Sequence, residues 1–273
     1  NVYFCIYRKE RLMTRKILII TTLFIYIVLM CFTAYFLFNP HSYAARNNGI
    51  LSNYISVFNK IKSTSSSSNT SASSSTYFSI FDNSRPVVID AGHGGKDPGT
   101  SGNGLVEKDI TLDIALKLNE ILQNEGVNTY MIRTDDTNMD RKDRIYKANK
   151  INAALYLSIH CDWYKSSSIK GMTIYRHPSE DIKYGNLSSK KYAENIHKEL
   201  LKATDISDRG IKNNTEYAVL RHAKMPSVLV ELGYLSNPYD ASVLGSQESR
   251  EAIARSLADG IINSLQDADE VKK

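Results

Sequence analysis

Four ionisable side chains lie at the ends of apolar segments or just before a predicted helix. His93 follows closely after one apolar segment, His160 ends a second and Glu231 ends a third. Glu107 lies in a glycine-rich segment immediately before a helical pattern. Two imidazoles and one carboxylate, with a fourth position left to water, form a ligand set typical of catalytic rather than structural zinc. These four residues are therefore the candidates for a metal site with acid–base chemistry.

Each of these residues also has a purely structural interpretation. The glycines beside His93 are consistent with a tight turn or with an anion-cradling loop. The phosphate interpretation is weak, because no Gly-Lys-Ser/Thr follows and Asp97 would repel an anion. His160, taken alone, fits a buried core histidine. Glu231 is harder to explain structurally, since a carboxylate that ends an apolar strand is costly to bury without a partner.

The elements that must position these residues follow from the hydrophobic pattern after Arg85. Short apolar runs alternate with amphipathic stretches, and the helix that starts at Ile110 has Asp109 as its predicted N-cap residue. This alternation predicts an α/β fold with a single, mostly parallel sheet of about six strands, helices on both faces and reactive groups at the carboxyl ends of strands. Strands are predicted at 86–90, 127–133, 153–160, 172–175, 217–220 and 227–231, and helices at 110–123, 141–150, 188–201 and about 247–265.

The N-terminal part of the sequence predicts a membrane anchor. Residues 17–38 contain no charged side chain, and their number meets the roughly 20 residues that a bilayer-spanning helix needs. Basic residues precede this segment, so everything after it is expected outside the cytoplasm. The alternative is a signal peptide cleaved near Ala44, which would give a secreted protein. A further hypothesis takes Met13 as the true start, so that residues 1–12 are not native.

The predicted organisation has five parts. A Ser/Thr-rich stretch at residues 63–76 is too polar to form a core and predicts a flexible stalk. The parts are a cytoplasmic leader at 1–16, the transmembrane anchor at 17–38, an extracytoplasmic linker at 39–84, a catalytic domain at 85–267 and a tail at 268–273.

Charge and cysteine content exclude several other classes of protein. The first 84 residues carry 8 basic and 2 acidic side chains, whereas residues 85–273 carry 26 and 27. The large C-terminal part is thus close to neutral, which argues against a nucleic-acid partner. The three cysteines lie in different segments without metal-type spacing, which excludes a disulfide scaffold or a zinc finger.

Three sequence blocks resemble a known family. VVIDAGHGGKDPGTSGNGLVEKD, LYLSIHCD and PSVLVELGYLSN are similar, in order and spacing, to the zinc-dependent N-acetylmuramoyl-L-alanine amidases of bacterial cell walls, the amidase-3 type. The resemblance covers about residues 85–266. It implies that His93, Glu107 and His160 bind Zn²⁺ and that Glu231 is the catalytic carboxylate. It also implies peptidoglycan as substrate, with hydrolysis of the amide between the lactyl group of muramic acid and L-alanine.

Several neighbouring residues have weaker predicted roles. Asp162 is expected to shape the access of substrate, and Arg221 and His222 either line the groove or lie on an edge surface. Asp90 is expected to accept a hydrogen bond from a metal ligand or simply to end its strand. Cys161 is expected to be a buried thiol, because neighbouring strand residues point to opposite faces.

Two other functions remain open at this point. A zinc peptidase that cuts stem-peptide bonds would need the same water and base. A wall-binding regulator without catalytic activity would keep the fold alone, although all four chemical positions are intact. The sequence assigns no activating protein partner. Sporulation or germination is one hypothesis for the stage at which the cell uses the enzyme.

Overall fold

The computed structural model describes residues 84–269, which contain one six-stranded sheet and two small hairpins. The strands of the main sheet are β1 Val87–Ala91, β4 Thr129–Met131, β5 Leu155–Asp162, β6 Met172–Arg176, β9 Asp208–Asn213 and β10 Ser227–Tyr234. They lie side by side in the order β4-β1-β5-β10-β6-β9. The hairpins are β2 Ser101–Gly102 with β3 Leu105–Val106, and β7 Lys183–Tyr184 with β8 Leu187–Ser188.

Six helices complete this part of the chain. They are α1 Glu107–Asn124, α2 Arg141–Lys150, α3 Ser189–Ala203, α4 Ala218–Arg221, α5 Pro238–Gly245 and α6 Gln247–Asp269. Within the sheet, β4, β1, β5 and β10 are parallel, whereas β6 is antiparallel to β10 and β9 is parallel to β6. The prediction of a mostly parallel sheet of about six strands is confirmed.

Helices cover both faces of the sheet, as predicted. Val87 and Ile89 of β1 belong to a hydrophobic cluster that includes residues of α1, α3 and α6, whereas Val88 belongs to a second cluster with residues of α2 and α4. Successive side chains of a strand point to opposite faces, so a strand between two helical layers is expected to be mostly apolar on both faces. This explains the apolar runs at residues 87–89 in β1 and 228–230 in β10.

One predicted strand is wrong. Residues 217–220 do not form a strand, because Ala218–Arg221 forms the short helix α4 that leads into β10. The sixth strand is instead β9, whose six residues include two basic side chains and one acidic one and are half-buried or exposed. β9 is an edge strand that pairs on one side only, so it lacks the apolar run that marks the central strands.

Helix α1 begins earlier than predicted, at Glu107 rather than at Ile110. Asp109 is therefore not the N-cap residue but lies in the first turn. The Glu107 N–H donates to the Thr100 carbonyl at 2.9 Å, and Glu107 Oε2 accepts from the Thr100 N–H at 2.8 Å. This reciprocal pairing replaces a side-chain cap and places Glu107 on a helix rather than in a loose loop.

Within residues 84–269, no helix combines the length and the apolar character that crossing a bilayer requires. The predicted anchor at 17–38 and the Ser/Thr-rich stalk lie outside the described residues.

Candidate metal centre and active site

Three neighbouring parallel strands carry the candidate residues to one edge of the sheet. His93 follows two residues after the end of β1, His160 lies near the end of β5 and Glu231 lies on β10. Glu231 is the register partner of His160. Glu107 reaches the same place from the first residue of α1. The order of the strands in the sheet therefore brings together residues that are up to 138 positions apart in the chain.

Glu107 lies between the two histidines. Its Oε1 atom is 3.1 Å from His93 Nε2 and 2.9 Å from His160 Nδ1. The ligand-capable atoms of these three residues all lie within 4.8 Å of one another, and the two imidazole rings meet edge to face with centroids 5.0 Å apart. The predicted convergence of these side chains is confirmed, and the set matches the donors that zinc prefers.

Asp97 orients His93, a role that was not predicted from the sequence. Asp97 Oδ2 lies 2.9 Å from His93 Nδ1, and Asp97 Oδ1 accepts from the Gly99 N–H at 3.1 Å. A carboxylate on the second ring nitrogen fixes the tautomer of a metal-binding histidine, which here leaves Nε2 free to face Glu107. The sequence feature that could have indicated this contact is the separation of four residues between His93 and Asp97 within one glycine-rich loop.

Two glycines make room for the three candidate ligand side chains. A Cβ atom on Gly92 would lie 2.4 Å from His160 Cε1, and one on Gly99 would lie 2.5 Å from Glu107 Oε2 and 2.7 Å from His93 Cδ2. Gly99 also has a φ of +67°, which a residue with a side chain adopts only with strain. The glycines thus let the backbone approach the three ligand side chains closely.

The electrostatics of the cluster favour a cation. Burial opposes ionisation of Glu107, but hydrogen bonds and charge from His160 and His93 outweigh it and lower its pKa to about 2. Burial also acts to lower the pKa of His93, but Glu107 and Asp97 raise it. The carboxylate is thus held ionised at neutral pH between two imidazoles.

Glu231 has the opposite environment. Burial raises its pKa well above the usual range, and the nearby charges of Glu107 and Asp162 add to this effect. Its Oε2 atom is buried and has no hydrogen-bond partner within the described residues. A buried carboxyl with an orphaned oxygen is suited to exchange a proton with a group that enters the site.

Asp162 lies beside Glu231, on the same face of β5 as His160. Its carbonyl accepts from the Leu235 N–H at 2.8 Å, which joins the ends of β5 and β10. Burial, followed by a hydrogen bond to Asp162, raises the pKa of Tyr234 to about 12. Asp162 therefore lies close to both Tyr234 and Glu231, and its effect on substrate access stays a prediction.

Asp90 accepts no hydrogen bond from a candidate metal-binding side chain, and it lies within β1 rather than at its end. Its carboxylate is 1% exposed and accepts from Arg144 at 2.7 Å, from Tyr156 Oη at 2.6 Å and from Ser158 Oγ at 2.9 Å. The expectation that Asp90 accepts a hydrogen bond from a metal ligand is wrong, because Arg144 of α2 and Tyr156 and Ser158 of β5 are its donors. The alternative that it ends the strand is also wrong, since β1 continues to Ala91. Arg144 connects Asp90 to His93, because it donates to both the Asp90 carboxylate and the His93 carbonyl.

Arg221 and His222 do not line the site. They lie at and just after the end of α4, before the start of β10, where Asn149 of α2 donates to the His222 carbonyl at 2.8 Å. This is the amino-terminal end of β10, where Ser227 lies. Glu231 is four residues further along the strand, and each residue extends the strand by about 3.3 Å. The expectation that these two residues line the groove beside Glu231 is wrong. Arg221 is exposed and His222 is half-buried, next to a strand in the interior of the sheet rather than at its edge.

Cys161 is 2% exposed and belongs to the core cluster on the face opposite to His160. Its backbone N–H, rather than its thiol, contributes to the site by donating to Glu107 Oε1 at 3.1 Å. The prediction of a buried thiol is confirmed.

Comparison with known proteins assigns the family. Residues 87–263, about two thirds of the chain, match the amidase-3 family, described as N-acetylmuramoyl-L-alanine amidase. The chain belongs to this family. Its function is therefore that of an N-acetylmuramoyl-L-alanine amidase, a peptidoglycan hydrolase that degrades the cell wall, as the sequence predicted.

Individual relatives support the same assignment. The amidase is 39% identical over 189 residues to a sporulation-specific N-acetylmuramoyl-L-alanine amidase of Bacillus subtilis, covering 68% of this chain and 69% of that one. It is 38% identical over 177 residues to the amidase LytC of the same organism, covering 65% of this chain and 35% of LytC. The solved structure of the amidase AmiC2 of Nostoc punctiforme aligns with a TM-score of 0.62 and 34% identity, over 67% of this chain and 98% of AmiC2.

Proposed function

We propose that the amidase is zinc-dependent and that His93, Glu107 and His160 hold the ion. The observation that carries this proposal is the convergence of their three ligand-capable atoms within 4.8 Å. The donor set of two imidazoles and one carboxylate leaves a position open for water or substrate, as catalytic zinc requires. The absence of Cβ atoms at Gly92 and Gly99 gives the ligand side chains the space that this arrangement needs.

The chain's own acid–base group is Glu231. When bound, zinc supplies the Lewis acidity that polarises the scissile carbonyl and acidifies water. Glu231 lies one strand away from His160 at the same register, beside the residues that would hold the ion. Burial raises the pKa of Glu231, and the charge of a cation held there would favour its ionised form. The carboxylate then accepts the proton of the attacking water.

The same carboxyl group completes the reaction. The nitrogen of L-alanine must be protonated before the C–N bond of the tetrahedral intermediate breaks, and the proton held at Glu231 is the one available there. Its Oε2 atom is free to donate, because no side chain within the described residues occupies it. Glu231 therefore serves first as base and then as acid.

The location of the enzyme is part of the proposal. The uncharged segment at 17–38 with basic residues before it supports a single-pass membrane anchor that holds the catalytic domain outside the cytoplasm, where peptidoglycan lies. Cleavage near Ala44 would release the same domain as a secreted enzyme. Similarity to a sporulation-specific amidase supports a role in sporulation or germination.

Digestion of purified peptidoglycan, with and without a zinc chelator, tests the proposal. We expect new L-alanine amino termini without new reducing sugars, loss of this activity with the chelator and its return with added zinc. New termini at other stem-peptide residues would instead identify a zinc peptidase. Full activity after exhaustive removal of metal would contradict the zinc assignment, and binding to the wall without cleavage would support the non-catalytic alternative.

A further inference from the structure

Two buried arginines hold three consecutive backbone carbonyls in the loop that carries His93. Arg133 Nε and Arg144 Nη1 both donate to the Ala91 carbonyl, at 3.0 and 2.8 Å. Arg133 Nη2 donates to the Gly92 carbonyl at 2.9 Å, and Arg144 Nη2 donates to the His93 carbonyl at 2.7 Å. Both arginines are 3% exposed, so these hydrogen bonds are shielded from water.

The loop needs this support because of its backbone conformation. His93 has a φ of +61°, in the left-handed region that residues with a side chain rarely adopt. Such a conformation persists only when the surrounding structure imposes it. The guanidinium groups supply this constraint, because each presents several donors in a rigid plane that a lysine cannot reproduce.

Arg133 also joins the loop to the segment that carries Glu107. The Nη2 atom that donates to the Gly92 carbonyl also donates to the Lys108 carbonyl at 2.8 Å. Thr111 Oγ1, one turn further along α1, donates to the Gly92 carbonyl at 2.9 Å. Arg133 therefore bonds to the residue before His93 and to the residue after Glu107, and it sets the spacing of the two segments.

Arg144 is held in turn by Asp90. Its Nη1 atom donates to Asp90 Oδ1 at 2.7 Å, while Tyr156 Oη and Ser158 Oγ donate to Oδ2. Tyr156 and Ser158 lie on β5, the strand that ends near His160. A chain of buried contacts thus connects the strand that bears one histidine to the backbone of the other.

We propose that Arg133 and Arg144 are positioning residues that set the zinc affinity of the site, because they hold His93 and Glu107 at a fixed separation. This inference rests on the proposed zinc site. Outer partners that orient ligands contribute about 10–100-fold to metal affinity. The two arginines act on the backbone of the ligand segments rather than on the ligand side chains.

The test compares Arg133→Lys and Arg144→Lys with Arg85→Lys in the full-length protein. Arg85 donates to the carbonyls of Asn152 and Ala153 at 2.8 and 2.7 Å, at the opposite end of the sheet, and is a matched control for a lost arginine–carbonyl contact. The zinc dissociation constant is measured by competition with a chromophoric chelator. The free energy of unfolding of each metal-free protein is measured with urea in parallel.

We expect the two site variants to bind zinc about 10–100-fold more weakly, whereas Arg85→Lys loses stability without a change in the zinc dissociation constant. A purely structural role would lower the unfolding free energy of all three variants and leave the zinc affinity of the folded protein unchanged. That result would overturn the inference. Failure of the unmodified protein to bind zinc would instead overturn the proposed function itself.

A milder variant covers the case in which the arginine variants do not fold. Tyr156→Phe removes one donor to Asp90 and keeps the volume of the ring, so it loosens Arg144 without opening a cavity. We expect a smaller but measurable loss of zinc affinity. An unchanged dissociation constant in this folded variant would also overturn the inference.

Discussion

Glu231 on β10 and His160 on β5 are register partners on adjacent parallel strands. At this register both side chains point to the same face of the sheet, so the acid–base group lies beside a proposed metal ligand. A slip of one residue would turn Glu231 to the opposite face, among the core residues that surround Cys161. Strand pairing, rather than a flexible loop, thus sets the distance between the proposed proton acceptor and the proposed metal site.

Glu231→Gln should separate metal binding from chemistry. The amide keeps the shape of the side chain but cannot accept a proton, so zinc should stay bound while turnover falls by about 10²–10⁴-fold. Metal content and peptidoglycan hydrolysis are measured on the same preparation. Glu120→Gln, on the exposed side of α1, is the control and should keep both. Loss of zinc from Glu231→Gln would make Glu231 a ligand, and unchanged turnover would remove it from the mechanism.

Alanine at any one of the three proposed ligands should lower zinc occupancy. His93→Ala, Glu107→Ala and His160→Ala each leave an incomplete coordination shell. Elemental analysis after dialysis against a weak chelator gives the stoichiometry. His197→Ala is the control, because His197 pairs with Asp208 at 2.7 Å outside the site, and it should retain zinc. A ligand variant that kept full occupancy would have to leave the proposed set.

Gly92→Ala should damage the site without replacing a proposed ligand. The added Cβ would lie 2.4 Å from His160 Cε1, so the imidazole ring must move. We expect zinc affinity to fall by at least about tenfold, as for loss of a ligand-orienting contact. Gly245→Ala is the control, since its Cβ would meet Leu105 at an ordinary 3.6 Å. Competition titration with a chelator measures both variants, and equal affinities would argue against close packing of the backbone on His160.

The stability of the metal-free protein should depend on Glu107 in acid. Its pKa is lowered to about 2 in the folded state from a usual value of 4.5, mainly by hydrogen bonds to His160 and His93 that outweigh its burial. The ionised form therefore contributes stability above about pH 4.5, and this contribution is lost as the pH falls towards 2. Urea unfolding gives the free energy of unfolding of the unmodified protein and of Glu107→Gln, and the difference between the two is the contribution of the Glu107 carboxylate. The difference between them should be a few kcal/mol at pH 6 and should shrink as the pH falls towards 2. A difference independent of pH would contradict the assignment.

A fragment from about Phe81 to the end of the chain should fold alone. Both hydrophobic clusters are built from residues between Val87 and Ala268, and residues 63–76 contain only Ser, Thr, Asn and Ala, which add no core. Circular dichroism of this fragment should show one cooperative thermal transition. A gradual, non-cooperative melt would show that the N-terminal segment is needed to complete the fold.

The sequence alone determined the central sheet and the residues at its ends. Strands buried on both faces are continuous apolar runs, so an ionisable residue that ends such a run, as His160 and Glu231 do, is visible without a structure. The edge strand β9 was not visible in this way, because it is paired on one side and half exposed. Residues 217–220 resembled a strand, but tertiary packing selects a helix there.

The tertiary structure alone decided how the ligands are held. The choice of Asp97 as the partner of His93 Nδ1, the placement of Arg221 away from the site and the contacts of Arg133 and Arg144 with the loop at residues 91–93 depend on the path of the backbone in space. Arg144 reaches His93 across 51 positions of sequence. The contacts of the two arginines leave no periodic pattern in the chain, since hydrogen bonds to backbone carbonyls do not depend on the identity of the residue that supplies the carbonyl. The pairing of Asp97 with His93 spans only four residues, but this spacing does not by itself show which ring nitrogen the carboxylate meets.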